Sequence, residues 1–522
     1  MSYIDAINYL YSLQKYGIKL GLQKTEKILS CLGNPHRDFL SIHVAGTNGK
    51  GSTSAMIASI LMAHGFKVGL YTSPHLVSFT ERIKINNEQI KESEVVSLTT
   101  EIKFKIHPEQ VGTKFKIPEP TFFEFVTVMA FLYFARNNVD WAVIEVGMGG
   151  RLDATNMVTP EVSVITNISY DHKEFLGETL TEISGEKAGI IKNRVPVVSA
   201  EQEKEAENVI CKTAEKRGSP LFLYGRDFNG ILRLSDISGI AFDYHDSTFN
   251  IQHSTLKNLF VPLAGQHQLI NACVAIKAAI VALKESNERV TSNEKYDSSQ
   301  CQSVKDSDAL TLGSSDASFV TPHSSLIKDG LAATKWRGRL EIVNHKPLII
   351  VDGAHNPNAA TVLAEFIKKH LHNYKIILIM GIMSDKDIKG IMSPILPLAS
   401  DIIFTAPNYS RAASPQKLAE ISLHMGFSSR VANSVKDAIE IAIKDSNKSK
   451  TTSNEKSVSS QRQSVKVAKY QSSKDSDALT LGNFDTSKDS SLILITGSFY
   501  TIGEAMESLG EKAVLATLRE TV

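Results

Sequence analysis

At 522 residues the chain exceeds one ordinary domain, so two are expected. A formal charge of +1 argues against a broadly basic surface for nucleic acid or anionic lipid. Cys31, Cys211, Cys273 and Cys301 show no paired spacing, which argues against a disulfide framework or a metal knuckle and fits a reducing compartment. Met1 to Leu20 carries Asp5, Lys15 and Lys19 among apolar residues and reads as an amphipathic helix, not a signal peptide. Phe122 to Ala135 is the most apolar stretch, but it contains Glu124 and is too short to span a bilayer. The expectation is a soluble, cytoplasmic, monomeric protein with neither nucleic acid nor membrane as partner.

In chain order, Phe39 to Val44 reads as a buried strand and Ser54 to His64 as a helix. Between them lies Gly46-Thr47-Asn48-Gly49-Lys50-Gly51-Ser52. Glycines let backbone N–H groups converge on phosphate oxygens, and a helix N-terminus adds a favourable dipole. The loop therefore predicts a nucleoside triphosphate site, with Lys50 on the β- and γ-phosphates and Ser52 on Mg²⁺. Its spacing departs from the commonest pattern, because Gly51 separates Lys50 from Ser52. Strands follow at Lys67 to Tyr71, Trp141 to Val146, Val162 to Asn167 and Val195 to Ser199. Helices are expected at Glu124 to Arg136 and Thr181 to Ile191. This alternation predicts an α/β layer with a mostly parallel sheet. Phe222 to Ile251 reads as a small antiparallel patch and Gln266 to Lys284 as a helix.

A second α/β series begins near Trp336, with strands at Pro347 to Val351, Ile376 to Met380, Ile402 to Thr405 and Leu492 to Thr496. Its helices are Pro357 to Lys369, Ser414 to His424 and Val435 to Lys444. The layout is Rossmann-like but lacks a GxGxxG loop, so no dinucleotide is expected. Two segments, 286–326 and 445–490, interrupt the series. They share TSNEK, SSQ(C/R)QSVK and DSDALTLG, and so read as two copies of one inserted element. Such polar composition buries too little apolar surface to offset ordering entropy, so surface insertions remote from the chemistry are expected. The division is 1–285, the insertion 286–326, then 327–522 interrupted at 445–490.

Ligands of an open α/β sheet bind at strand C-termini. Ser73, Glu145 and His172 all fall there. Glu145 ends an otherwise apolar run, where an unpaired charge is unfavourable. His172 alone would read as a surface or capping group; beside Glu145 and Ser73 it reads as a ligand, and this donor set suits Mg²⁺ or Mn²⁺. Lys187 sits in a helix where an ion pair with Glu182 or Asp171 would be ordinary. The loop from Gly147 to Asn156 carries Arg151 and Asp153, which either close on a substrate or pair with each other. Asp352 and His355 follow a strand, and Arg339 precedes it. They could contact a nucleotide from a second domain, or Asp352 or Asn356 could simply cap the next helix.

Nine motifs then occur in order: GTNGKGS at 46–52, TSPHL at 72–76, TERI at 80–83, EVGMGGRLDATN at 145–156, SYDH at 169–172, EKAGIIK at 186–192, GQHQLINA at 265–272, GRLE at 338–341 and DGAHNP at 352–357. Together they resemble the folylpolyglutamate synthase/dihydrofolate synthase family of the Mur ligase superfamily. The resemblance implies a P-loop ATPase domain plus a C-terminal Rossmann-like glutamate ligase domain. It also implies ATP-dependent addition of L-glutamate to dihydropteroate or folates through an acyl phosphate. It places Mg²⁺, in two sites, on Ser52, Ser73, Glu145, His172 and a Lys187 carbamylated by CO₂. It sets Gly46 to Ser52 with His267, Gln268, Asn271, Arg339, Asp352 and His355 around ATP. The acceptor would lie at Phe122, Phe123, Arg151, Asp153 and Ala154. A mono-functional folylpolyglutamate synthase and a cell-wall ligase are the alternatives.

Overall fold

The chain folds around two mostly parallel sheets, in a computed structural model that describes residues 1–17, 21–106, 119–248, 255–294, 316–454 and 491–510. The first sheet holds β1 (Leu40–Ala45), β2 (Val68–Tyr71), β3 (Ile83–Ile85), β4 (Glu88–Gln89), β5 (Trp141–Glu145), β6 (Val162–Ile165), β7 (Val197–Ser199) and β8 (Leu221–Leu223). Its spatial order is β4-β3-β2-β5-β1-β6-β7-β8. β1 is central, paired in parallel with β5 and β6, while β3 and β4 add an antiparallel edge. Alternate residues of β5 serve two cores, because successive strand side chains point to opposite faces. Trp141 and Val143 pack with the helices Lys50–Ala63 and His267–Glu294. Ala142 and Ile144 pack with the helices Tyr3–Ser12, Glu92–Ile106 and Phe122–Arg136.

A three-stranded antiparallel sheet of β9 (Phe228–Asp236), β10 (Gly239–Asp246) and β11 (Thr255–Val261) packs against the helix His267–Glu294. The antiparallel patch thus starts later than expected. Leu221–Leu223 instead pairs in parallel with β7 as the edge of the first sheet. Residues 267–285 form the one described helix long and apolar enough to cross a membrane, yet 78% of that stretch is buried inside the protein. Here it is a core helix.

The second sheet holds β12 (Glu341–His345), β13 (Leu348–Val351), β14 (Lys375–Met380), β15 (Asp401–Phe404), β16 (Arg430–Val431) and β17 (Ser491–Thr496), ordered β12-β13-β17-β14-β15-β16. All pairings are parallel except β12 with β13. β17 follows the second repeated element, yet it is buried throughout and paired on both sides. The expected insertions are partly helical at their edges. Helical backbone continues through Glu294 and Asn454, and the helix Asp316–Ala332 begins inside the first. The remainder, 295–315 and 455–490, lies outside the described residues.

Candidate active site

β1 delivers the chain to the phosphate loop, and the helix Lys50–Ala63 starts directly after it. Gly49 stands at the helix N-cap with φ +88°, where a side chain would be strained, and a Cβ there would lie 2.4 Å from Asn271 Oδ1. No side chain caps this helix, so its first N–H groups remain available to an anion. Thr47 and Asn48 differ: both main-chain N–H groups donate to Asn167 O, at 2.8 and 3.2 Å. Lys50 Nζ donates to Thr47 O at 3.2 Å, which holds the ammonium over the loop. Ser52 is buried, and Gly51 packs against Trp336 so closely that a Cβ would meet the indole at 2.2 Å.

Glu145 and Ser73 come together: the Ser73 N–H donates to Glu145 Oε2 at 3.1 Å. Burial raises the Glu145 carboxyl above its ordinary value, and Lys50, the Ser73 N–H and Arg339 oppose that shift. His172 takes a left-handed backbone conformation, φ +50°, at the start of a short helix. It lies near Lys50, with Asp171, Lys386 and His355 around it. The surrounding protein lowers the imidazole to about 4, against the pull of Asp171, so it is neutral at pH 7. Among the described residues no three His, Cys, Asp or Glu side chains lie close enough to hold a metal by themselves.

Lys187 makes neither ion pair that its helix suggests. Its Nζ donates to Gly46 O at 2.9 Å, directly under the phosphate loop. Burial lowers it to about 7, with Lys50 adding to the shift. Glu182 caps its own helix through Thr179, and Asp171 turns to the second domain. Asp171 Oδ1 accepts from Lys386 Nζ at 2.7 Å, and Oδ2 lies 3.9 Å from His355 Nε2. Burial would raise this carboxyl, but His172, Lys386 and His355 outweigh it and hold it well below the usual range. A cleft of about 1000 Å³ opens here, lined by Asn167, Asp171, His172, His355, Asn356 and Lys386 among others.

The second domain brings His355 to this cleft, and Arg339 close to Asp352 and to Glu145 of the first domain. Asp352 accepts from Leu340 N and Ala354 N, at 3.0 and 2.9 Å, and so ties the two loops together without capping the helix. The cap is Asn356, which accepts from Ala359 N. Arg339 stacks its guanidinium 4.5 Å from the Phe499 ring centre. His355 Nδ1–H donates to Gly353 O at 2.8 Å, leaving Nε2 as an acceptor; burial lowers this imidazole to about 4. From the first domain, Asn271 Nδ2 donates to Gln268 Oε1, and Gln268 meets His267 Nε2 at 3.1 Å. His267 Nδ1 is buried without a partner among the described residues, and burial with Arg339 nearby lowers the ring to about 4.

The glycine loop after β5 holds no internal Arg–Asp pair. Arg151 pairs with Glu186 at 2.8 Å, while Asp153 accepts from Met148 N, Thr155 N and Thr155 Oγ1. Asp153 is buried among its local donors, whereas the Arg151 side chain is exposed. Ala154 is buried beside it. Phe123 packs on Gly147 and Tyr71, and Phe122 lies under Arg82, 5.1 Å from its guanidinium carbon. Arg82 Nε in turn donates to His75 Nδ1 at 2.8 Å. Lys386 and Arg82 carry no signal in the sequence that points to the site, and Asp171 reads there only as a partner for Lys187; the three-dimensional pairing marks all three.

Residues 44–279 match the Mur ligase middle domain and residues 338–452 the Mur ligase glutamate ligase domain. Dihydrofolate synthase/folylpolyglutamate synthase of Bacillus subtilis is 33% identical over 423 residues, covering 81% of this chain and 89% of that protein. The chain belongs to the folylpolyglutamate synthase/dihydrofolate synthase family. Folylpolyglutamate synthase of Lacticaseibacillus casei is 33% identical over 446 residues, covering 85% and 94%. A solved family member, Mycobacterium tuberculosis folylpolyglutamate synthase complexed with ADP, superposes with a TM-score of 0.77 at 26% identity, covering 98% of this chain and 100% of that one. The Thermotoga maritima folylpolyglutamate synthase gives 0.71 at 30% identity, covering 98% of each. The two-domain α/β architecture with mostly parallel sheets read from sequence is thus that of folylpolyglutamate synthases.

Proposed function

We propose that the chain is an ATP-dependent amide ligase that joins L-glutamate to dihydropteroate, to folates, or to both. The observation that carries this reading is the uncapped helix start at Gly49–Lys50, set beside the buried Glu145 and its contact with the Ser73 N–H. A carboxylate oxygen of the acceptor attacks the γ-phosphorus of ATP, the bond to the bridging oxygen breaks, and ADP leaves an acyl phosphate. The glutamate amine attacks the acyl carbon, loses one proton, and phosphate departs as the amide forms. No enzyme nucleophile is needed, so positioning and charge neutralisation set the rate. Main-chain N–H groups from Gly49 to Ser52 would hold phosphate oxygens, and Lys50 would offset charge on the transferred group. His267, Gln268 and Asn271, next to the loop, and Arg339, Asp352 and His355, from the second domain, would hold the rest of the nucleotide. The unpartnered Nδ1 of His267 fits a ligand there.

Ser52, Ser73, Glu145 and His172 would hold Mg²⁺. A buried carboxylate with one N–H donor and no ion pair among the described residues fits a divalent cation. Mg²⁺ supplies charge neutralisation at the phosphates. Lys187, near 7, presents much of its amine neutral at physiological pH. That form would add to CO₂ with loss of a proton, and the resulting carbamate would be an anion able to serve a second Mg²⁺. Phe122, Phe123, Arg151, Asp153 and Ala154 would receive the acceptor. One chain supplies both walls of the cleft, which supports a monomer, and the free Cys31, Cys211 and Cys273 fit the cytoplasm.

The relatives' names favour folate acceptors over UDP-linked cell-wall precursors. Labelled glutamate, offered with dihydropteroate or with tetrahydrofolate, tests the reading. Incorporation into both is expected. Incorporation into tetrahydrofolate alone makes the enzyme a mono-functional folylpolyglutamate synthase, and incorporation into neither overturns the proposal.

A further inference from the structure

The phosphate loop and the second domain meet through three asparagine side chains. Asn48 Oδ1 accepts from Asn356 Nδ2 at 2.9 Å. Asn48 Nδ2 donates to Asn358 Oδ1 at 2.9 Å and to Ser169 Oγ at 3.2 Å. The two ends of an amide are chemically different, and one contact orients the whole set. Asn356 Oδ1 caps the helix Pro357–His370 by accepting from Ala359 N at 2.9 Å, so Asn356 Nδ2 must point at the phosphate loop. Asn48 must then present Oδ1 to Asn356, which leaves Nδ2 for Asn358 and Ser169. Its main-chain N–H is taken by Asn167 O. Thr47 Oγ1 donates to Ser169 O at 2.9 Å, so the segment leading to Asp171 and His172 joins the same network.

We infer that Asn48 is a positioning residue, whose amide clasp to Asn356 and Asn358 couples the shape of the phosphate loop to the seating of the second domain. This rests on the ligase reading above. A nucleotide that orders the loop then favours the closed cleft, and closure in turn favours the ordered loop. An Asn is suited to this position because it offers a donor and an acceptor at once.

The test uses the full chain with one dye on each domain, so that resonance energy transfer reads closure, and Mg²⁺ with the non-hydrolysable analogue AMPPCP as the probe. Asn356→Ser keeps a good helix cap but is too short to reach Asn48. Asn358→Ala changes an exposed side chain and leaves the cap alone. In both variants AMPPCP, its binding followed by calorimetry, should still bind but close the cleft less than in wild type. Ligation kcat should fall about tenfold, the worth of one ordinary hydrogen bond, with acceptor KM unchanged. Asn48→Ala combined with Asn358→Ala should be no worse than Asn48→Ala alone. Full closure with full kcat in both single variants, or additive losses in the double variant, overturns the clasp. If wild type ligates nothing, the ligase reading fails, while the closure signal still decides the clasp.

Discussion

Two strand-to-helix turns, one from each sheet, meet through Asn48 and Asn356, and they solve their helix starts in opposite ways. After β1, Gly49 leaves the helix Lys50–Ala63 without a side-chain cap. After β13, Asn356 caps the helix Pro357–His370, and Pro357 removes one further donor at its first position. The first turn therefore offers main-chain N–H groups to an anion, whereas the second has spent its own and offers side chains. The same topological position serves phosphate in one domain and side-chain chemistry in the other, and the identity of one capping residue separates the two.

The largest test of this contrast is Lys50→Ala. Losing one charge-stabilising group at the transferring phosphoryl should slow ligation by about 2.7–4 kcal/mol of barrier. The melting temperature should hold, because among the described residues the Lys50 ammonium hydrogen-bonds only to its own loop. Near-wild-type turnover would remove the first turn from the chemistry. The strands feeding the turns also differ. β1 carries His43, fully buried, whose Nε2–H donates to Thr155 Oγ1, whereas β13 is wholly apolar. Burial lowers His43 from its ordinary 6.5 to about 3. The unfolded chain then binds a proton that the folded chain refuses, so stability falls as pH drops from about 6.5 toward 3, by about 1.4 kcal/mol per pH unit at most. Urea midpoints from pH 7 to 5 should show this slope, flattened in His43→Gln; parallel slopes would refute it.

Asn356→Ala should lower stability by about 1 kcal/mol through loss of the cap, read as a shifted urea midpoint. An unchanged midpoint would mean that the second turn is as uncapped as the first. The smallest effect is expected from replacing 295–315 and 455–490 with short linkers. The helix His267–Glu294 starts beside Gly49 and ends about 40 Å away at 1.5 Å per residue. In the helix Val435–Asn454, Ser446 meets Ser491 at the start of β17, the end remote from Thr496 and the cleft. Ligation should be unchanged within about twofold, since contacts at that distance couple weakly. A large loss would place these elements in the mechanism.

The phosphate loop was legible because its chemistry is local: glycine spacing, the preceding apolar strand and the following helix all fall within a short window. The central strands were legible for the same reason, since strands buried on both faces read as apolar runs. The helices Glu92–Ile106 and Lys204–Arg217 were missed because charged residues dilute their apolar spacing. Lys187 could be picked out, but not its partner: Gly46 lies 141 residues away, and nothing in the lysine's own helix points to it. Arg151 chose Glu186 over Asp153 because Asp153 was already held by three local donors. Asp171 and Lys386, 215 residues apart, meet only because two domains close.

Transfer of the terminal phosphoryl group to the acceptor's carboxylate is tested most directly by isotope. An acceptor carrying ¹⁸O in both carboxylate oxygens is turned over with ATP and L-glutamate, and the released phosphate is weighed by mass spectrometry. One ¹⁸O in each phosphate formed is the predicted result, because the oxygen that attacks phosphorus leaves with it. Unlabelled phosphate alongside amide product would contradict the account.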